Sequence, residues 1–215
     1  AEHVFYMMLC LSKNKFTYDL EVRKGLFKEN ASKITTMELF KKEILIAGFG
    51  RIGKNLITRC LAFEMKVKVF DPFLSAEEIK KYGGIKIENL DDGLSSADYI
   101  SLHMPLNEKT KNLINKKNLT IMKKNCILIN TARGGIINEI DLNEALNNNL
   151  IWGAGLDVFE REPIDKNNPL LKNDKVLLSP HSATFTDECK SRMSIETIKN
   201  IIDFFDNKID KSMIV

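Results

Sequence analysis

The residues with the clearest chemical purpose are Gly48-Phe49-Gly50-Arg51-Ile52-Gly53. They follow a short apolar run and open an amphipathic stretch. Glycines at the first, third and sixth places of such a turn have separate uses. The first allows the tight turn, the second lets a pyrophosphate approach the backbone, and the third lets the following helix pack close to the strand. The positive end of that helix then faces the phosphates. Asp71 comes about twenty residues later, at the end of the next apolar run, where this fingerprint requires an acid. A carboxylate there can accept from both adenosine ribose hydroxyls and repels a 2′-phosphate. Asp71 before Pro72 would also suit a plain turn, but with the glycine loop upstream the pattern indicates an NAD site. Gly48, Gly50, Arg51, Ile52, Gly53 and Asp71 are its candidate cofactor contacts.

More polar chemistry follows each later apolar run. His103-Met104-Pro105, Thr131-Ala132-Arg133-Gly134-Gly135, Asp157 and Ser179-Pro180-His181 all stand at such ends. In an open parallel sheet, ligands collect at the carboxyl ends of the strands. Each residue also has a plainer reading. Arg133 could serve a phosphate or a surface ion pair, and His181 could be an ordinary loop histidine. His3 reads as structural, and His103 as pocket lining rather than a base.

The elements that would position these residues alternate as strand and helix, the signature of a parallel sheet. Strands are expected at Ile44–Ala47, Lys66–Phe70, Ile85–Ile87, Tyr99–Leu102, Cys126–Asn130, Gly153–Leu156 and Val176–Leu178. Helices are expected near Ile52–Phe63, Ala76–Tyr82, Lys116–Ile121, Glu139–Asn147 and Thr186–Phe205. The last is amphipathic, with Ile195, Ile198, Ile201, Ile202 and Phe205 on one face. Glu2 to Phe27 reads as helical, and 28–42 as a polar connector anchored by Leu39 and Phe40. The fold class is α/β, a Rossmann-type doubly wound parallel sheet.

Bulk properties narrow the class. The 215 residues carry a net charge of only +3, spread along the chain, which argues against a nucleic-acid partner. The longest apolar stretch, Val4 to Leu11, falls far short of the roughly 18 residues of a membrane span. Cys10, Cys60, Cys126 and Cys189 lack metal-ligand spacing and read as free thiols of a reducing, cytoplasmic setting. No metal is expected. The chain opens on Ala1-Glu2-His3 in mid-helix, which reads as a sequence cut into.

Several motifs in one order resemble the D-isomer-specific 2-hydroxyacid dehydrogenases, the family that includes phosphoglycerate dehydrogenase and hydroxypyruvate reductase. They are Ala1-Glu2-His3-Val4, Gly48–Gly53, Phe70-Asp71-Pro72, Ser101–Leu106, Asn130–Gly135, Gly155–Pro163 and Ser179-Pro180-His181-Ser182-Ala183. The resemblance implies a catalytic set of Arg133, Glu162 and His181. His181 would exchange a proton with the substrate oxygen, and Glu162 would orient the imidazole and favour its charged form. Arg133 would hold the substrate carbonyl and carboxylate. Glu160 is a neighbouring acid, but the spacing from Asp157 selects Glu162. Asp157 would sit near the nicotinamide ribose, with Thr131, Ala132, Arg133, His103, Met104, Pro105, His181 and Ala183 also against the cofactor.

The implied partners are a small 2-keto or 2-hydroxy acid and a second copy of the chain, with no nucleic acid and no membrane. Residues 1–185 would form the NAD-binding domain with its N-terminal hinge helix. Residues 186–215 would return toward a substrate-binding domain that is largely missing from this chain. Without that domain, the first and last helices would lack a packing partner. A non-catalytic, NAD-responsive protein of the corepressor type is the competing reading, and formate- or phosphite-type oxidation on the same scaffold is a third.

Overall fold

A computed structural model describes residues 1–27 and 35–210. Contacts divide the chain into two compact units, Ala1–Pro180 and the segment from His181 onward. The first unit is built on seven parallel strands: β1 (Glu43–Ala47), β2 (Lys66–Phe70), β3 (Ile85–Lys86), β4 (Tyr99–Leu102), β5 (Ile127–Asn130), β6 (Gly153–Leu156) and β7 (Val176–Leu178). Their order across the sheet is β3-β2-β1-β4-β5-β6-β7. The chain therefore winds outward from β1 in one direction and resumes at β4 in the other. That reversal opens a crevice at the carboxyl ends of β1 and β4.

Burial on both faces explains why the strands read as continuous apolar runs. Alternate residues face opposite layers. Leu45, Ala47, Ile100, Leu102, Leu128 and Leu156 belong to one core, and Ile44, Ile46, Tyr99, Ile127 and Ile129 to the other. The first core packs beneath α5 (Leu90–Ser96), α6 (Lys116–Ile121) and α7 (Glu139–Asn147). The second packs beneath α1 (Glu2–Ser12), α3 (Arg51–Ala62) and α4 (Ala76–Lys80). A short 3₁₀ helix, Pro169–Lys172, precedes β7.

Four expectations need correction. The helical stretch expected over Glu2–Phe27 is two helices, α1 and α2 (Lys15–Arg23), because Asn14 adopts a left-handed conformation with φ of 50°. The first helix has its packing partner within this unit: Val4, Met7 and Met8 of α1 are completely buried. Gly155 on β6 leaves room for it, since a Cβ there would come within 2.9 Å of Met7 Sδ. In the connector, Leu39 is buried but Phe40 is exposed, so of these two Leu39 is the anchor; residues 28–34 lie outside the described residues. The short helix α5 was not foreseen, since Leu90–Ser96 contains Gly93 and mostly polar residues.

The N-termini of α4 to α8 share one solution to their unpaired N–H groups. Ser75, Asn89, Asn115 and Asn138 each accept from a backbone N–H in the first turn of α4, α5, α6 and α7. Thr186 does the same for α8 (Asp187–Phe205), in the second unit. Helix α3 opens on Gly50 and has no side-chain cap. Helix α8 exposes Ile195, Ile198, Ile201, Ile202 and Phe205 along one side. No described helix is long and apolar enough to cross a membrane.

Candidate cofactor and active site

The glycine loop is held by the strands around it. The Gly48 N–H donates to the Phe70 carbonyl of β2 at 2.8 Å. Gly48 has a φ of +94°, and a Cβ on it would lie 2.7 Å from the backbone of His103 at the end of β4. Both conformation and space therefore require glycine. Asp71 ties the loop down from the other side. One carboxylate oxygen accepts from the Phe49 N–H at 2.8 Å, and the other from the Phe73 N–H at 2.9 Å. Each oxygen can accept more than one hydrogen, which leaves this carboxylate able to take ribose hydroxyls.

Gly50 is the informative member. Its φ of −73° suits any residue, and a Cβ there would meet nothing within 4 Å. Nothing inside the described chain demands glycine at this place, so the demand comes from what approaches from outside. The absence of a side-chain cap on α3 has the same sense, since its first N–H groups face the place where a phosphate would act as the cap. These residues fit a dinucleotide pyrophosphate. Arg51 and Ile52 form the first turn of α3, both exposed, and Gly53 packs beneath it, 2.7 Å from the Gly48 carbonyl if given a Cβ.

The other candidates within the first unit stand on the same rim. His103 donates its N–H to the Ala47 carbonyl at 2.7 Å. Its Nε2 lies 2.7 Å from Oγ of the buried Ser101. Burial pushes the imidazole pKa down to about 4, so the ring is neutral at ordinary pH and lines the rim without charge. Met104 is half-buried and Pro105 exposed beyond it.

After β5, the buried Asn130 shapes the next turn. Its Oδ1 accepts from the Ala132 N–H at 3.0 Å, and its Nδ2 donates to the Arg133 carbonyl at 2.9 Å. Thr131 and Ala132 are half-buried, and the Arg133 guanidinium is exposed, with one N–H on the Ala132 carbonyl. A Cβ on Gly134 would collide with the Phe159 carbonyl at 1.7 Å, so the Arg133 turn lies directly against the loop that carries Glu162.

The neighbouring acids of that loop have separate employment. Glu160 and Glu139 bond reciprocally, each carboxylate accepting the other residue's N–H at 2.9 and 2.6 Å. Glu160 thus fastens the start of α7. Glu162 is exposed and accepts from the Phe159 N–H at 3.1 Å.

Asp157 is fully buried at the end of β6, its N–H on the Asn130 carbonyl at 3.0 Å. Ser179, at the end of β7, donates to its carboxylate at 2.5 Å. On the other side, Ser179 meets Nε2 of His3 at 2.8 Å. His3, read from sequence as structural, therefore belongs to the rim. Only its place in the opening Ala1-Glu2-His3-Val4 motif hinted at this. His181, Ser182 and Ala183 open the second unit, with His181 exposed and left-handed at φ 51°. Among the described residues, no cluster of His, Cys, Asp or Glu could hold a metal.

Comparison with known proteins adds the family. A profile described as D-isomer specific 2-hydroxyacid dehydrogenase, NAD binding domain, matches residues 5–183. The chain belongs to that family. A D-3-phosphoglycerate dehydrogenase of Bacillus subtilis is 39% identical over 95% of the chain, which covers 38% of that relative. A glyoxylate reductase of Korarchaeum cryptofilum is 33% identical over 100% of the chain and 65% of the relative. The D-lactate dehydrogenase of Aquifex aeolicus, solved with NAD and lactic acid, superposes with a TM-score of 0.87 at 34% identity, over 96% of this chain and 66% of that one. The chain thus spans between about two fifths and two thirds of the length of these relatives. It carries the family's NAD-binding domain. All three named relatives are dehydrogenases or reductases, and none of them favours the corepressor reading.

Proposed function

We propose that the whole protein is an NAD-dependent oxidoreductase that interconverts a 2-keto acid and a D-2-hydroxy acid. The observation that carries this is the uncapped N-terminus of α3 beside Asp71, with polar strand-end residues gathered along one rim. Family membership supports 2-hydroxy acids as the substrate class. When bound, the nicotinamide supplies or accepts the hydride.

The chain's own residues divide the remaining work. Gly50 and the first N–H groups of α3 receive the pyrophosphate, and Asp71 takes the adenosine ribose hydroxyls. His103, Met104, Pro105, Thr131, Ala132, Asp157 and Ala183 line the cofactor. Arg133 is the substrate-binding cation, since its guanidinium offers a planar fork to a carboxylate. His181 moves the proton at the substrate oxygen, and Glu162 completes the catalytic set. A cytoplasmic setting and a homodimer belong to the same reading. The exposed Phe16 and Leu20, one turn apart on α2, offer a face that a second copy would cover.

Titration with both reduced cofactors tests the first part. NADH should bind far more tightly than NADPH, and Asp71→Ala should narrow the gap; equal affinities in the parent would sink the assignment. Chemistry is tested in the intact protein with glyoxylate, hydroxypyruvate and phosphohydroxypyruvate. His181→Ala should lower turnover at least ~100-fold, the usual scale for a lost general acid, with NADH affinity nearly unchanged. Near-normal turnover would remove His181 from the reaction. The 215-residue chain alone should bind NADH but reduce none of these acids, because the remaining third or more of its relatives' length is absent from it.

A further inference from the structure

A fully buried carboxylate such as Asp157 needs hydrogen-bond donors in place of water. Ser179 Oγ supplies one, donating to Oδ1 at 2.5 Å. A hydroxyl has one hydrogen, and here it is committed to Asp157. Toward His3 Nε2, 2.8 Å away, Ser179 Oγ can therefore only accept. Nε2 of His3 must carry a proton, whether the ring is neutral or an imidazolium. The same nitrogen lies 3.5 Å from Asp157 Oδ1. His3 is delivered by a rigid element, because Val4, Met7 and Met8 bury the adjoining turns of α1 in the core.

We propose that His3 is a positioning residue of the cofactor site, holding the Asp157 carboxylate in one orientation through Ser179. The inference rests on the placement of Asp157 in the cofactor site proposed above. A merely structural His3 would pin α1 to the end of β7 and nothing more. The two roles differ in one respect. If His3 works through Asp157, its loss matters to NADH only while residue 157 is a carboxylate.

Calorimetric NADH affinity of the 215-residue chain decides this, measured for the parent, D157N, H3A, H3Q, S179A and the H3A/D157N double variant, with urea midpoints as folding controls. D157N and H3A should each weaken binding about tenfold, the scale of one hydrogen bond to a charged group, and S179A should match them. H3Q keeps an N–H donor and should recover most of the affinity. In the D157N background, H3A should add less than twofold, the non-additivity expected of residues acting in series.

Parent-like affinity in H3A beside a weakened D157N overturns the inference and leaves the cofactor site standing. A further tenfold loss in the double variant overturns it as well. If D157N leaves affinity untouched, the placement of Asp157 fails and the inference goes with it. Should H3A fail to fold, S179A breaks the same relay, and parent-like NADH binding there overturns the proposal.

Discussion

The ionisation of His103 ties stability to pH. Its pKa is lowered to about 4 in the folded chain, against about 6.5 when unfolded. Between those values the unfolded chain binds more protons, so stability rises with pH and falls as pH drops from 6.5 toward 4. The shift corresponds to at most about 3 kcal/mol at neutral pH. Urea unfolding of the parent at pH 7.5 and pH 5 should show this loss, and His103→Gln should flatten it. Other acid titrations, Asp98 among them, are common to both proteins and cancel in the comparison. An identical pH dependence in the variant would mean that His103 is not held neutral. At this scale the site was unevenly legible. Gly48, Gly50, Gly53 and Asp71 declare themselves because their meaning lies in local spacing. His3 does not, because its partner Ser179 is 176 residues away in sequence. Asn130 escaped for another reason: its importance lies in two bonds to its own turn, which no spacing rule encodes.

Among the elements, the strands were nearly all visible, since residues such as Leu45 and Ile46, on opposite faces of the sheet, are both apolar and buried. The helices were less so. Nothing apolar or periodic marks α5, and the break between α1 and α2 depends on the backbone of Asn14. The two N-terminal helices differ sharply in burial, and that difference is measurable. Met7 on α1 is fully buried, whereas Leu20 on α2 is 51% exposed. Met7→Ala should cost about 2–5 kcal/mol in urea unfolding, the range for truncating a core side chain. Leu20→Ala should stay within about 0.5 kcal/mol. Equal losses would mean that α1 is not the core element described above.

For the whole molecule, the order β3-β2-β1-β4-β5-β6-β7 makes every strand pair parallel, so each requires a crossover connection. Helix α1 goes furthest in this respect. It precedes all seven strands yet rests on β5 and β6, the latter closing only at Leu156. A ribosome adds about 5–20 residues per second, so the roughly 150 residues between them take on the order of 8–30 s to appear. Through that interval Val4, Met7 and Met8 lack a completed sheet to lie on, and the emerging chain carries an apolar helix not yet fully covered. Stalled nascent chains ending shortly before β6 should therefore be cut by protease within α1, and chains long enough to expose β7 outside the exit tunnel should resist. A helix made about 150 residues before its seat is finished is a natural client for a chaperone waiting at the ribosome.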